Sequence, residues 1–132
     1  MASSERLAYL IVNADDYGYF GFVSKGILQA FRCGIVTATG IFANSAHFDE
    51  HVAWLADYPE LDLGVHLNLT AGAPLTDCMK CKFAHCRERF PGKYAIAKAV
   101  LTGSLSPEDI AQEWRAQIDR PVIPGPLVFL IN

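Results

Sequence analysis

The chain has 132 residues, 52% hydrophobic and 19% charged, with a formal net charge of -3. That length predicts a single domain over 1–132, and the hydrophobic share excludes a disordered chain. The charge leaves no basic field for nucleic acid or an anionic membrane, and no apolar run approaches the ~20 residues that span a bilayer.

The N-terminal stretch MASSERLAYLIV lacks the apolar core and cleavage site of a signal peptide, so a cytoplasmic location is expected. Residues 7–13 (LAYLIVN) form a continuous apolar run, which predicts a first strand buried on both faces of a parallel sheet. The run ends in Asp15 and Asp16, like charges side by side, an unfavourable pairing unless something positive is shared. A helix is predicted over 22–33, with Ile27, Leu28, Ala30 and Phe31 against Ser24, Lys25 and Gln29, and Gly34 as its stop. Residues 35–43 (IVTATGIFA) are rich in β-branched types and predict a second strand. Ser45 is expected to cap a third element, whose Phe48, Val52 and Leu55 fall at helical spacing before Tyr58 and Pro59 end it. His47 and His51 lie on that helix at i, i+4 spacing and are expected to form a solvated face.

The stretch LDLGVHLNLT alternates, with Leu63, Val65, Leu67 and Leu69 on one face and Gly64, His66 and Asn68 on the other. Cys78, Cys81 and Cys86 follow as C-x2-C-x4-C with His85 alongside. Only one C-x2-C pair is present, so neither a structural zinc site nor, without a secretory signal, a disulfide is expected. A helix is predicted near 93–102. Another opens at Ser106, Pro107, Glu108 and Asp109, a capping signature, with Ile110, Trp114 and Ile118 as its buried stripe. Pro121 and the PGP at 124–126 break it, and LVFLI at 127–131 predicts a further strand.

About four strands alternating with helices predict a parallel α/β architecture, in which ligands gather at the carboxyl ends of the strands. Asp15 and Asp16 end the first strand, Asn44 the second, and His66 and Asn68 lie near the end of the third, so the polar groups converge on one rim. Oxygen donors with an imidazole suit a divalent ion such as Zn, Mn, Fe, Co or, less typically, Mg. One aspartate can ligate while the other accepts a proton from metal-bound water, the division of labour of a metal-assisted hydrolase. Taken singly, each residue reads more simply as an Asx turn or a core histidine, and only their convergence points to a site. A phosphoacceptor receiver domain has a similar length and an acidic pair after its first strand. It needs a phosphorylatable Asp ending the third strand and a Lys ending the last, and neither is present. P-loop and dinucleotide glycine patterns are absent after the first strand.

The stretches LIVNADDYG, GILQAFRCGIVTATG and LGVHLNLTAGAPL, in that order and spacing, resemble the YdjC-like carbohydrate deacetylase family, which includes chitooligosaccharide deacetylase. The likeness runs from about residue 8 to 75, and FPGKYAIAKAVLTGSLSPEDIAQEWRAQIDR looks like that family's next helical region. The resemblance implies a (β/α) barrel related to polysaccharide deacetylases, of which this sequence reads as the N-terminal half. It also implies a divalent metal ion, Mg or Zn, and hydrolysis of N-acetyl groups on amino sugars or chitooligosaccharides. Carried onto this chain, it makes Asp15 the general base and Asp16 and His66 metal ligands. A third ligand is implied in a Ser-His-x-His stretch after the fourth strand, where the sequence ends at Asn132. His47, His51 and His85 are not expected to replace it. The alternative reading is a non-catalytic half-barrel, a metal-binding or association module whose unpaired strand edge favours self-association.

Overall fold

The computed structural model describes residues 8–120. Within them β1 (Asn13–Tyr17) leads through α1 (Gly21–Arg32) to β2 (Ala38–Ile41), and then through α2 (Phe48–Trp54) to β3 (Asp62–Val65). The helices α3 (Asp77–Lys82), α4 (Lys93–Leu101) and α5 (Pro107–Asp119) follow. The strands form one parallel sheet in the order β1-β2-β3. Each strand pairs with its neighbour in sequence, the arrangement of a barrel wall. A receiver-type fold would instead place β1 between the other two, so the strand order removes that rival. Of the four expected strands, the one at 127–131 lies outside the described residues. Among the described residues no helix is long and apolar enough to cross a membrane.

The first strand starts later than its apolar run predicts. Pairing begins where the Val12 carbonyl accepts from Thr37 N (2.9 Å) and Ala38 N (3.2 Å), and β1 continues through both aspartates. Tyr9, Leu10 and Ile11 are 88%, 80% and 71% exposed, against the expectation of burial on both faces. They precede the first paired residues of β1, and nothing among the described residues covers them. The third strand is shorter than LDLGVHLNLT predicts. It stops at Val65, and the alternation beyond His66 belongs to a loop whose hydrogen bonds come from side chains.

The end of α1 follows its sequence. Gly34 takes φ 83, its N–H donates to Phe31 O at 2.8 Å, and Ile35 N donates to Ala30 O at 3.3 Å. This is the paired closure that a left-handed residue allows. The start of α2 does not follow its sequence. Ser45 is not the cap; its hydroxyl donates to Gly18 O (2.6 Å) and accepts from His47 N (3.1 Å), tying the loop after β2 to the loop after β1. The buried residues of α2 are Phe48 and His51, and His51 is 2% exposed rather than solvated. Its ring lies against Trp54 and edge-on to Tyr17, whose hydroxyl donates to the His51 carbonyl at 2.7 Å. Burial raises the Tyr17 phenol far above its ordinary value, so it remains a donor.

Two apolar clusters result. One packs α1 and α2 on the sheet through Tyr17, Leu28, Ile41, Phe48, Leu55 and Val65, and the other joins Met79, Phe83, Phe90, Ile96 and Leu105. The cap of α5 is as predicted: Ser106 Oγ accepts from Asp109 N, and Asp109 accepts from Ser106 N. Of its predicted stripe, Ile110 packs half-buried against the second cluster and Ile118 is half-buried, but Trp114 is exposed, and the fully buried residues are Glu113 and Gln117. The Glu113 carboxylate accepts from Leu75 N (2.9 Å), Thr76 N (2.9 Å), Thr76 Oγ1 (2.8 Å) and Gln117 Nε2 (3.0 Å). Those donors replace the water that burial removes.

Removing that carboxylate leaves several buried donors unsatisfied, so Glu113→Ala is expected to cost about 3 kcal/mol in urea unfolding. Trp114→Ala, on the predicted stripe, is expected to cost under about 1 kcal/mol. Equal losses for the two would restore the apolar stripe.

Candidate functional site

Between Ala14 and Tyr17 of β1 the pairing with Thr39 and Ile41 slips by one residue, and the bulge holds Asp15 and Asp16. A regular strand turns consecutive side chains to opposite faces. Here Asp16 adopts φ 70, in the left-handed region that few non-glycine residues occupy. Its carboxylate is half exposed and lies 3.9 Å from Nδ1 of His66. That is neighbourly but too long for a direct hydrogen bond. Asp15 Oδ1 accepts from the Asn13 side-chain amide at 2.6 Å.

Gly40 of β2 makes this gathering possible. A Cβ there would lie 3.0 Å from Asp15 Oδ1 and 3.3 Å from His66 Cβ. A glycine inside a strand marks such an approach, a signal available in TATGIFA that sequence reasoning passed over. His66 directly follows β3 and extends the ladder by donating its N–H to Ile41 O at 2.9 Å. Its ring stacks on Phe42, centroids 4.5 Å apart and planes inclined by 19°. The structure therefore places Asp15 and His66 on either side of the gap at Gly40, with Asp16 beside the His66 ring.

Asn44 and Asn68, placed on the same rim by the sequence, are committed elsewhere. Asn68 Nδ2 donates to Asn44 Oδ1 (2.9 Å) and Ala71 O (2.6 Å), while its Oδ1 accepts from Thr70 N and Ala71 N. Asn44 Nδ2 donates to Ala71 O and Ala73 O. Gln117 accepts from Asn68 N and donates to Asn68 O. These side chains fix the loop after β3. Gln117 and Glu113 escaped sequence reasoning because an isolated polar residue on a helix gives no sign of being buried.

Cys78 and Cys81 are exposed, and Cys78 Sγ donates to Asp109 Oδ1 at 3.3 Å. That bond raises the thiol above its ordinary value, while the Ser106 hydroxyl and backbone N–H hold Asp109 well below the usual carboxylate range. Among the described residues no group of three or more His, Cys, Asp or Glu side chains gathers to hold a metal ion. Asp16 and His66 supply two donors of suitable type.

A family model described as YdjC-like protein matches residues 9–123. The chain belongs to the YdjC-like family. It is 53% identical over 113 residues to a carbohydrate deacetylase of Geobacillus stearothermophilus, covering 85% of this chain and 43% of that protein. It is 38% identical over 112 residues to a carbohydrate deacetylase of Halalkalibacterium halodurans (84% and 46%). A chitooligosaccharide deacetylase of Yersinia pestis is 38% identical over 111 residues (84% and 42%). A crystal structure from Enterococcus faecalis V583, of a protein provisionally described as a cellobiose-phosphate cleavage protein, superposes with a TM-score of 0.73 at 32% identity. That likeness covers 83% of this chain and 42% of the other. The chain thus spans less than half the length of these YdjC-like relatives.

The left-handed backbone at Asp16 carries its own test. Asp16→Gly should unfold at higher urea than Asp16→Ala by about 1 kcal/mol, the reverse of their order in a regular element. The two midpoints in one buffer decide it, and Ala above Gly would contradict the φ at this position.

Proposed function

We propose that this chain carries part of the active site of a metal-dependent deacetylase that hydrolyses N-acetyl groups of amino sugars or chitooligosaccharides. The observation that carries this reading is the approach of Asp15 and His66 across Gly40, with Asp16 beside the His66 ring, at the carboxyl ends of neighbouring parallel strands. The names of its YdjC-like relatives support the reaction class.

In this reading Asp16, through a carboxylate oxygen, and His66, through an imidazole nitrogen, hold a divalent ion, magnesium or zinc. A further donor comes from outside the described residues. When bound, the ion polarises the acetamide carbonyl and lowers the pKa of a water molecule. Asp15 would take a proton from the attacking water as the C–O bond forms, and the C–N bond would then break, releasing acetate and a protonated amine. Asn13 fixes the orientation of the Asp15 carboxylate, so the base meets the water already aimed. Phe42 and the Ile41 carbonyl hold His66 from its ring and its backbone, which limits the reorganisation needed to bind the ion.

Acetate release from di-N-acetylchitobiose, with and without added Mg²⁺ or Zn²⁺, tests the reading. Metal-dependent release is expected, and release no greater than in buffer would defeat it. Asp15→Asn should lower the rate by about 10²–10⁴-fold while calorimetry still shows the metal bound. Asp16→Asn and His66→Ala should each lose metal binding with an unchanged circular dichroism spectrum. Undiminished binding in both variants removes the ligand assignment.

A further inference from the structure

A cavity of about 340 Å³ lies among the helices that follow the sheet and includes none of Asp15, Asp16 and His66. Its volume falls near the lower end of the ~300–1,000 Å³ usual for small-molecule sites. Phe83 and Leu105, both buried in the second cluster, give it an apolar floor. From α4 it is lined by Ala95, Lys98 and Ala99, which at spacings of three and four share one side of the helix. Tyr94 and Leu101 of the same helix stand 82% and 87% exposed and are not part of it. Alanine at 95 and 99 leaves room that a longer side chain would fill.

The charge of the lining has one sign. Lys82, His85 and Lys98 are its ionisable residues, and no carboxylate is among them. The neighbourhood repeats the bias. Lys80, Lys82, Arg87, Arg89, Lys93 and Lys98 fall in a stretch whose one acid is Glu88, although the whole chain carries -3. These cations are not equally free. Lys82 Nζ donates to Ser104 O at 3.2 Å and pairs with Asp109 at 3.1 Å. The hydroxyls of Thr102 and Ser104 donate to the carbonyls of Lys98 and Ala99. The Lys98 ammonium has no hydrogen bond or ion pair among the described residues, and its side chain is exposed. An apolar floor with an uncommitted cation at its rim suits a ligand with a hydrocarbon tail and one anionic head. The tail leaves water while the head stays at the surface, so the charge keeps much of its hydration.

We propose that this cavity binds a small amphipathic carboxylate, its hydrocarbon tail on Phe83 and Leu105 and its head at Lys98. The assignment stands apart from the reaction proposed at Asp15, Asp16 and His66. A neutral molecule forgoes the ion pair, and an anion without a tail forgoes the apolar contact, so neither half suffices.

Octanoate serves as the probe, titrated into the isotope-labelled full chain and followed by NMR. Saturable shifts are expected at the amides of Phe83, Ala95, Ala99 and Leu105. At those amides octanol, a tail without charge, and acetate, a charge without tail, should each bind at least about tenfold more weakly. Lys98→Gln should weaken octanoate about three- to tenfold and leave octanol unchanged, because it alters the contact to the head alone. Ala95→Phe, also at an exposed helical position, should fill the cavity and abolish binding of both with an unchanged circular dichroism spectrum. Octanoate binding no tighter than octanol, shifts centred elsewhere, or full octanoate affinity in Lys98→Gln overturns the assignment. Binding to phosphatidylglycerol vesicles without saturable octanoate binding would make the basic stretch a membrane contact and overturn it equally.

Discussion

At Gly40 the middle strand carries no side chain, and the space a Cβ would fill has Asp15 Oδ1 and His66 Cβ at its margins. The close approach requires β1, β2 and β3 to keep their present register, because a slip of one residue would turn every side chain to the other face. It also requires the bulge in β1. Without the extra residue, adjacent aspartates would point away from one another, and one of them would leave His66. Strand pairing, bulge and glycine therefore act as one constraint, and the geometry of the candidate site follows from it.

The loop after β3 is held by a different device. Glu113 is a fully buried carboxylate whose partners among the described residues are amides and a hydroxyl rather than a cation. Replacing water around a carboxylate with fixed dipoles is favourable only when the donors are already positioned, and the backbone at Leu75 and Thr76 provides that. Gln117 passes the connection to Asn68, and Asn68 passes it to Asn44. Arg120 adds a bond to Ala43 O at 2.6 Å while its guanidinium lies over Phe48. One helix thereby grips the segments that leave β2 and β3, both of which border the candidate site.

Features set by local chemistry were legible in the sequence. Gly34 closing α1 and the Ser106–Asp109 cap of α5 are decided within a few residues, and both stand where they were expected. Features set by distant partners were not. The apolar run at 7–13 resembles a buried strand, yet burial depends on what lies across from Tyr9, Leu10 and Ile11. On α5 hydropathy selected Trp114, while the interior holds Glu113 and Gln117, whose partners lie about forty to fifty residues away. Spacing on α2 predicts a solvated His51 because it does not say which turn meets Tyr17. The nearness of Asp15, Asp16 and His66 follows from the strand ends that carry them. Gly40, which leaves room for Asp15 and His66, contributes nothing but an absence of atoms, and an isolated glycine in a strand is a weak signal.

The sheet's order also bears on how it assembles. Asn13 pairs with Ala38 and Ala38 with Asp62, so each strand closes a loop of similar, modest length onto the one before it. Loop-closure entropy grows slowly with length, and neither step demands a distant partner. The aspartates and His66 can thus come together while the chain grows from its N-terminus. The bonds from Glu113 and Gln117 span 38 and 49 residues and form only when α5 has been made. The candidate ligands are gathered early, and the loop beside them is locked late.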